Sequence, residues 1–449
     1  MRTVVVASDA FKGSASSLEV ADAVRLGVLD VAPGARVVVV PVADGGEGTV
    51  AAALAAGWSP LAVEVHGPTG DPVTATLAVE PAPGAVSPGL GTAAPPHSSA
   101  DSTAPPPHSS AESLHQATLE EGAPRGAVLV ELADACGLGR LPGGVPAPLT
   151  ASSRGLGDAI LAALDLGAAE LVVGVGGSAS TDGGAGMLAA LGARLLDADG
   201  HDLLDGGVAL TGLHRLDLSG LDPRLRSSRL VLAADVDSPL LGPTGAAAVF
   251  GPQKGATPHD VQLLEAALTH WADVVASTPG ASSTNRSNVP QPHQQEEGGG
   301  ATSTCWSKVA HGRPDAAPGA GAAGGVGFAL LAVLGAEHRS GVDVVLDLVG
   351  LDAALAGADL VVTGEGSLDA QTAAGKAVRG VARRAAAHGI PVVAVCGRLT
   401  LDDRGLAGLG VRTAYPLSDL EPDPQRSVTH AAELLRRTGR RIALEWLNP

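Results

Sequence analysis

Charged side chains recur inside glycine-rich turns of this 449-residue sequence, a pairing suited to holding small anions. Asp9-Ala-Phe-Lys-Gly-Ser14 brings Asp9, Lys12 and Ser14 together after an apolar run. Asp44-Gly-Gly-Glu-Gly-Thr49 sets Asp44 and Glu47 around Gly45, a pattern for a metal- or hydroxyl-binding loop. Gly174–Met187, GVGGSASTDGGAGM, is the richest segment. Its Gly176, Gly177, Ser178, Gly183 and Gly184 precede a helical pattern, where free backbone amides attract anions, and Asp182 sits among them. Asp235-Val-Asp237 ends another apolar run and suits Mg²⁺, which usually takes one or two carboxylates plus substrate phosphates. Phe250-Gly-Pro-Gln-Lys-Gly255 carries Lys254, and Thr363-Gly-Glu-Gly-Ser-Leu-Asp369 carries Glu365 and Asp369 ahead of Gly375-Lys376.

Lysine usage sharpens this reading. Only Lys12, Lys254, Lys308 and Lys376 are lysines among the 29 cationic side chains. Three of the four lie in the glycine-rich turns, where a compact ammonium can approach an oxygen that a planar guanidinium cannot. A P-loop is excluded: G-x-x-x-x-G-K-[ST] would need Gly at 370 and Ser or Thr at 377, and both positions are Ala. The weak dinucleotide fingerprint G-x-G-x-x-A is present at Gly174, but no acid ends a following strand at the ribose-binding distance. An oxidoreductase and a non-catalytic sugar-acid sensor stand as alternatives to a phosphotransferase.

The elements that must position these turns are legible as an alternation. Val4–Ala7, Val37–Val42, Val128–Leu132, Leu171–Val175, Leu230–Ala233, Leu360–Thr363 and Val392–Cys396 read as buried strands. Helical patterns fall between them at Ser17–Asp30, Gly155–Leu166, Gly184–Leu196, His259–Val275, Gly375–His388 and Ser427–Thr438. This is the signature of α/β layers with largely parallel sheets. Residues 81–126 and 279–318 are Pro/Ser/Gly-rich, without periodicity, and are expected to be disordered insertions.

Composition excludes several classes. A formal net charge of −18 and only eight aromatic residues argue against nucleic-acid binding. Three cysteines without a C-x-x-C pair exclude a zinc ribbon or a disulfide framework. Pro318–Ala336 is uncharged but holds six glycines, which favours a buried helix over a membrane span. The start lacks a signal-peptide pattern, so a cytoplasmic location is expected.

In order along the chain, DAFKGS, PVADGGEGT, GPTGDPV, VGVGGSASTDGGAGM, DVDSPLLG, VFGPQKGA, GAGAAGGVGF and GADLVVTGEGSLDAQT resemble the bacterial-type glycerate kinase family, which phosphorylates D-glycerate with ATP without a P-loop. Ser367 is a departure, since family members often carry Arg there. The resemblance implies two α/β domains flanking an active-site cleft. One is Rossmann-like and built from both chain ends, about 1–66 with 319–449; the other is inserted, about 67–318. It implies ATP, Mg²⁺ and D-glycerate as ligands, 2-phosphoglycerate as product with 3-phosphoglycerate as the alternative, and a homodimer as the assembly to test. Within it, Lys12, Lys254 and Lys376 are assigned to charge neutralisation, and Asp235 with Glu47 or Glu365 to the metal. Asp182 or Asp369 is assigned to accept the hydroxyl proton. Gly176, Gly177, Ser178, Gly183, Gly184, Glu365 and Lys376 are assigned to the nucleotide, and Asp9, Ser14, Asp44 and Gly45 to glycerate.

Overall fold

The computed structural model describes residues 1–11, 13–81, 125–281, 313–369, 372 and 377–447. Both expected insertions, together with Lys12, Lys308 and Lys376, lie wholly or largely outside the described residues.

Thirteen strands form three sheets among the described residues. They are β1 (Thr3–Ser8), β2 (Arg36–Val39), β3 (Ser59–His66), β4 (Pro72–Val79), β5 (Arg125–Glu131), β6 (Ala168–Gly174), β7 (Arg194–Leu196), β8 (Arg215–Asp217), β9 (Arg229–Ala233), β10 (Glu337–Arg339), β11 (Leu360–Leu368), β12 (Val392–Leu399) and β13 (Thr413–Pro416). A five-stranded sheet runs β13-β12-β11-β1-β2 and a six-stranded sheet runs β10-β9-β6-β5-β4-β3, while β7 and β8 pair alone. All four pairings of the five-stranded sheet are parallel. The six-stranded sheet is parallel from β10 to β5 and antiparallel through β4 and β3.

The five-stranded sheet is covered on both faces, as continuous β-branched strands require. Successive side chains of a strand point to opposite faces. Accordingly Val4 and Val6 pack with helices Ser17–Val31 and Ala431–Trp446. Val5 and Ala7 pack with helices Gly341–Leu348 and Ala377–Ala387. Helix Gly341–Leu348 also serves the other sheet. Its Val344 joins a separate core with Val50, Trp58, Leu129, Val172 and Val231, while its Val342 and Val345 face the first sheet. One helix therefore stands between the two sheets and buries apolar side chains on both sides.

The seven expected strands are present, but β3 and β10 lie outside the expected inserted span of 67–318 and pair into the six-stranded sheet. The sheet thus recruits chain from both flanks of that span. A second difference falls at 184–196. Helix Ala185–Ala190 stops early, Gly192 turns the chain at φ +101°, and Arg194–Leu196 is strand.

Candidate active site

Two loops at strand ends meet backbone to backbone. After β2, Asp44-Gly-Gly46 abuts the Gly174–Gly176 turn that ends β6 and the start of helix Gly341–Leu348. A Cβ on Gly45 would stand 2.4 Å from Gly341 Cα, and one on Gly176 would stand 2.5 Å from Gly46 Cα. Glycine is required at this seam because nothing larger fits, and Gly45 also holds φ +82°.

Beside this seam opens a cleft of about 190 Å³, walled by Asp44, Gly45, Gly176, Gly177, Ser178, Asp235 and Lys254. These residues come from the ends of β2, β6 and β9 and from the FGPQKG turn, the place where open α/β sheets take ligands. Seven of the seventeen residues expected to form the site are therefore brought to one cavity.

Lys254 is its cation. It is 2% exposed, and Nζ donates to Ser178 Oγ at 2.7 Å and to the Ser180 carbonyl. Burial pulls the ammonium down to about 7, against the opposing pull of the Asp182 carboxylate. Asp235 is a partly buried acid of the same cleft. Its Oδ1 accepts from Ser340 Oγ at 2.8 Å and its Oδ2 from Val342 N at 3.0 Å. Burial raises it to about 6, with Asp44 adding repulsion. Asp44 itself accepts from Gly46 N at 3.1 Å, which folds the loop back on its own side chain.

Several expected site residues lie away from this cleft. Asp182 does not face the cleft: it is fully buried and its carboxylate is consumed. It accepts from Ser153 N and Ser153 Oγ, both at 2.8 Å, and from Gly184 N and Gly186 N at 3.1 and 3.2 Å. The helix amides expected to receive a ligand are thus already bound to this side chain. Burial still holds the Asp182 carboxyl above its ordinary range. Gly183 and Gly184 are packing positions. Cβ atoms there would meet Trp271 Cδ1 and Ala329 Cβ, each at 2.5 Å. Glu47 is exposed and faces a neighbouring groove with Glu131, Asp134 and Arg140, whereas Asp44 lines the same cleft as Asp235.

The remaining residues line the carboxyl end of the five-stranded sheet. Asp9 N donates to Gly364 O at 2.9 Å, tying the end of β1 to β11. Asp9 Oδ1 accepts from Ala10 N at 2.7 Å. Ser14 Oγ donates to Phe11 O at 3.0 Å and closes that turn. Glu365 is buried and accepts from Thr372 Oγ1. Asp369 accepts from Ser367 Oγ at 3.3 Å.

Sequence reasoning missed three residues. Gln253 lines the cleft beside Lys254. Ala323 lines it too and is the sole described non-glycine residue with positive φ, at +53°. Alanine wedged among five glycines of GAGAAGGVGF was the available signal. Glu131, an acid ending a β-branched strand, accepts from Gly48 N and Val50 N at 3.0 Å each and so caps helix Thr49–Ala55 from the opposite sheet. Burial raises it to about 7.

A strand-end cleft with one buried ammonium and two carboxylates lies on two α/β sheets, and the comparisons place this fold in a class of phosphotransferases. The model of the glycerate kinase family matches residues 4–87 and 102–447. A glycerate kinase of Bacillus subtilis (strain 168) is 37% identical over 441 residues, covering 98% of this chain and 96% of that protein. A glycerate 2-kinase of Escherichia coli (strain K12) is 37% identical over 407 residues, covering 90% and 87%. A crystal structure from Salmonella typhimurium LT2, assigned as glycerate kinase 2, superposes with a TM-score of 0.70 at 36% identity, covering 99% of this chain and 98% of that one. The chain belongs to the glycerate kinase family. The oxidoreductase and sensor readings are set aside with that membership. No described helix is long and apolar enough to cross a membrane.

Proposed function

We propose that this protein transfers the γ-phosphoryl group of ATP to D-glycerate and releases 2-phosphoglycerate. The observation that carries the reading is the shared cleft, which Lys254, Asp44, Asp235 and the Gly176–Gly177 turn line together. Phosphoryl transfer asks a protein chiefly for positioning and charge neutralisation. Lys254, anchored by Ser178 and Ser180, offers a fixed positive charge to a phosphate or to the glycerate carboxylate. Gly176 and Gly177 bring the turn itself to the cleft, since a side chain at either would press on Gly46 or Ala133. Asp9 and Ser14 sit at the end of β1 and are assigned to glycerate with Asp44 and Gly45. Asp369, rather than the buried Asp182, is the carboxylate assigned to take the hydroxyl proton.

The donor set fits Mg²⁺. Asp235 and Asp44 are two hard oxygen ligands in one cavity, and such a pair plus substrate phosphates is a common way of holding this ion. When bound, Mg²⁺ supplies charge neutralisation across the phosphates. Ser340 Oγ and Val342 N keep the Asp235 carboxylate oriented for that role.

The test is a phosphorus NMR spectrum of the product formed from ATP and D-glycerate, with and without EDTA. A 2-phosphoglycerate signal that EDTA abolishes is expected. A 3-phosphoglycerate signal would overturn the assigned position of transfer, and full turnover in EDTA would overturn the metal.

A further inference from the structure

We propose that Arg398 is a further anion-positioning residue of this site, binding a phosphate or carboxylate oxygen at the rim formed by β11 and β12. The proposal rests on the kinase reading above and deepens it. Most arginines of the chain are spent on ion pairs, as with Arg154–Asp205, Arg229–Glu337, Arg384–Asp347 and Arg436–Asp30. Arg398 is exposed and makes no hydrogen bond or ion pair with a described residue.

Its place in the sheet gives that freedom a use. Arg398 lies near the carboxyl end of β12 and pairs in register with Ser367 of β11. The next pair, Leu368 with Leu399, packs into the core against helix Ala377–Ala387. Neighbouring residues of a strand point to opposite faces, so Ser367 and Arg398 share the other side. Ser367 there donates to Asp369, and buried Glu365 precedes it on the same strand. An anion arriving at this rim meets two carboxylates, and Arg398 is the described cation positioned on the adjoining strand to offset them. β11 is also the neighbour of β1, whose end carries Asp9. Strands are spaced by about 4.8 Å, so β12 lies roughly two such steps to the side of β1, and Arg398 stands three residues beyond the level of Ser8 in the sheet register. A guanidinium suits this task because its planar fork grips phosphate or carboxylate through two parallel hydrogen bonds.

The test uses full-length Arg398→Ser, and Arg398→Ser combined with Ser367→Arg, which returns the guanidinium from the register-paired position. Dissociation constants for ATP and for D-glycerate are measured by calorimetry, alongside Tm. These constants do not depend on turnover, so failure of the kinase reading and failure of this proposal remain separable. Arg398→Ser should weaken one ligand by about 10- to 100-fold with Tm unchanged. Weakened ATP assigns the contact to phosphate, and weakened glycerate assigns it to carboxylate. The double variant should recover most of the loss. Wild-type constants for both ligands in Arg398→Ser would overturn the proposal, as would a loss explained by lowered Tm or one left unrestored by Ser367→Arg.

Discussion

Lys254 Nζ lies 2.7 Å from Ser178 Oγ, and this bond fastens the FGPQKG turn to the glycine-rich loop that ends β6. The ammonium has little room: a Cβ on Gly324 would stand 2.9 Å from Nζ. Lys254→Arg keeps the charge but has no space for a planar fork, so kcat/KM should fall by about 10²–10³. Steady-state kinetics, with circular dichroism to verify folding, checks this. Activity at the wild-type level would remove Lys254 from the site.

Because burial brings Lys254 down to about 7, two pH effects of opposite sign follow. The folded state gives up its proton before the unfolded state does, whose lysine titrates near 10.5. Stability should therefore rise with pH between about 7 and about 10.5. Over the same range kcat/KM should decline, since the neutral amine no longer counters anionic charge. Asp235, raised to about 6, must ionise to hold a cation and sets the rising limb below. A narrow bell-shaped profile is expected, and Asp235→Asn should remove its acidic limb. That variant should also raise the Mg²⁺ needed for half-maximal rate by on the order of tenfold. An unchanged Mg²⁺ dependence would argue against Asp235 as ligand.

Asp182→Asn should act on the fold. The carboxylate satisfies four donors, and an amide leaves some unpaired while introducing its own. A loss of about 2–4 kcal/mol is expected in denaturant unfolding, with kcat retained by the folded fraction. Collapsed kcat at unchanged stability would instead return Asp182 to the chemistry.

How much of this could be read from sequence depended on what each residue's neighbours in the chain reveal. The strands of the five-stranded sheet were legible because both faces are buried, which demands uninterrupted β-branched runs. β3 and β4 were not: as an antiparallel pair with many partly exposed positions, they carry a diluted pattern. β10 is only three residues long and shows no period. The glycine-rich loops announced a site, but Gly176 and Gly183 look alike in sequence. One makes room for the backbone of Gly46 at the cleft wall and the other for Trp271, a residue 88 positions away. The burial of Asp182 was illegible for the same reason, since direction into the core or into the cleft is a tertiary property.

Gly45→Ala should separate crowding from backbone strain. It adds a Cβ 2.4 Å from Gly341 Cα at φ +82°, whereas Gly70, at φ +93°, has open space around its Cβ position. Gly70→Ala should cost about 1 kcal/mol from backbone conformation alone. Gly45→Ala should cost about 2–4 kcal/mol, because overpacking adds to the same strain. Equal losses in a denaturant titration would mean that the seam yields to a methyl group.

That seam also limits how the chain can vary over generations. Gly45 faces Gly341 and Gly46 faces Gly176, so each is its partner's steric boundary. Any codon change that replaces one of them brings in at least a Cβ, and no shrinkage at the facing glycine is left to compensate. Elsewhere in a core, a large residue and a small one can trade places across an interface in two tolerable steps. Here neither step exists, and the cleft wall is closed to gradual drift by geometry before any demand of catalysis is considered.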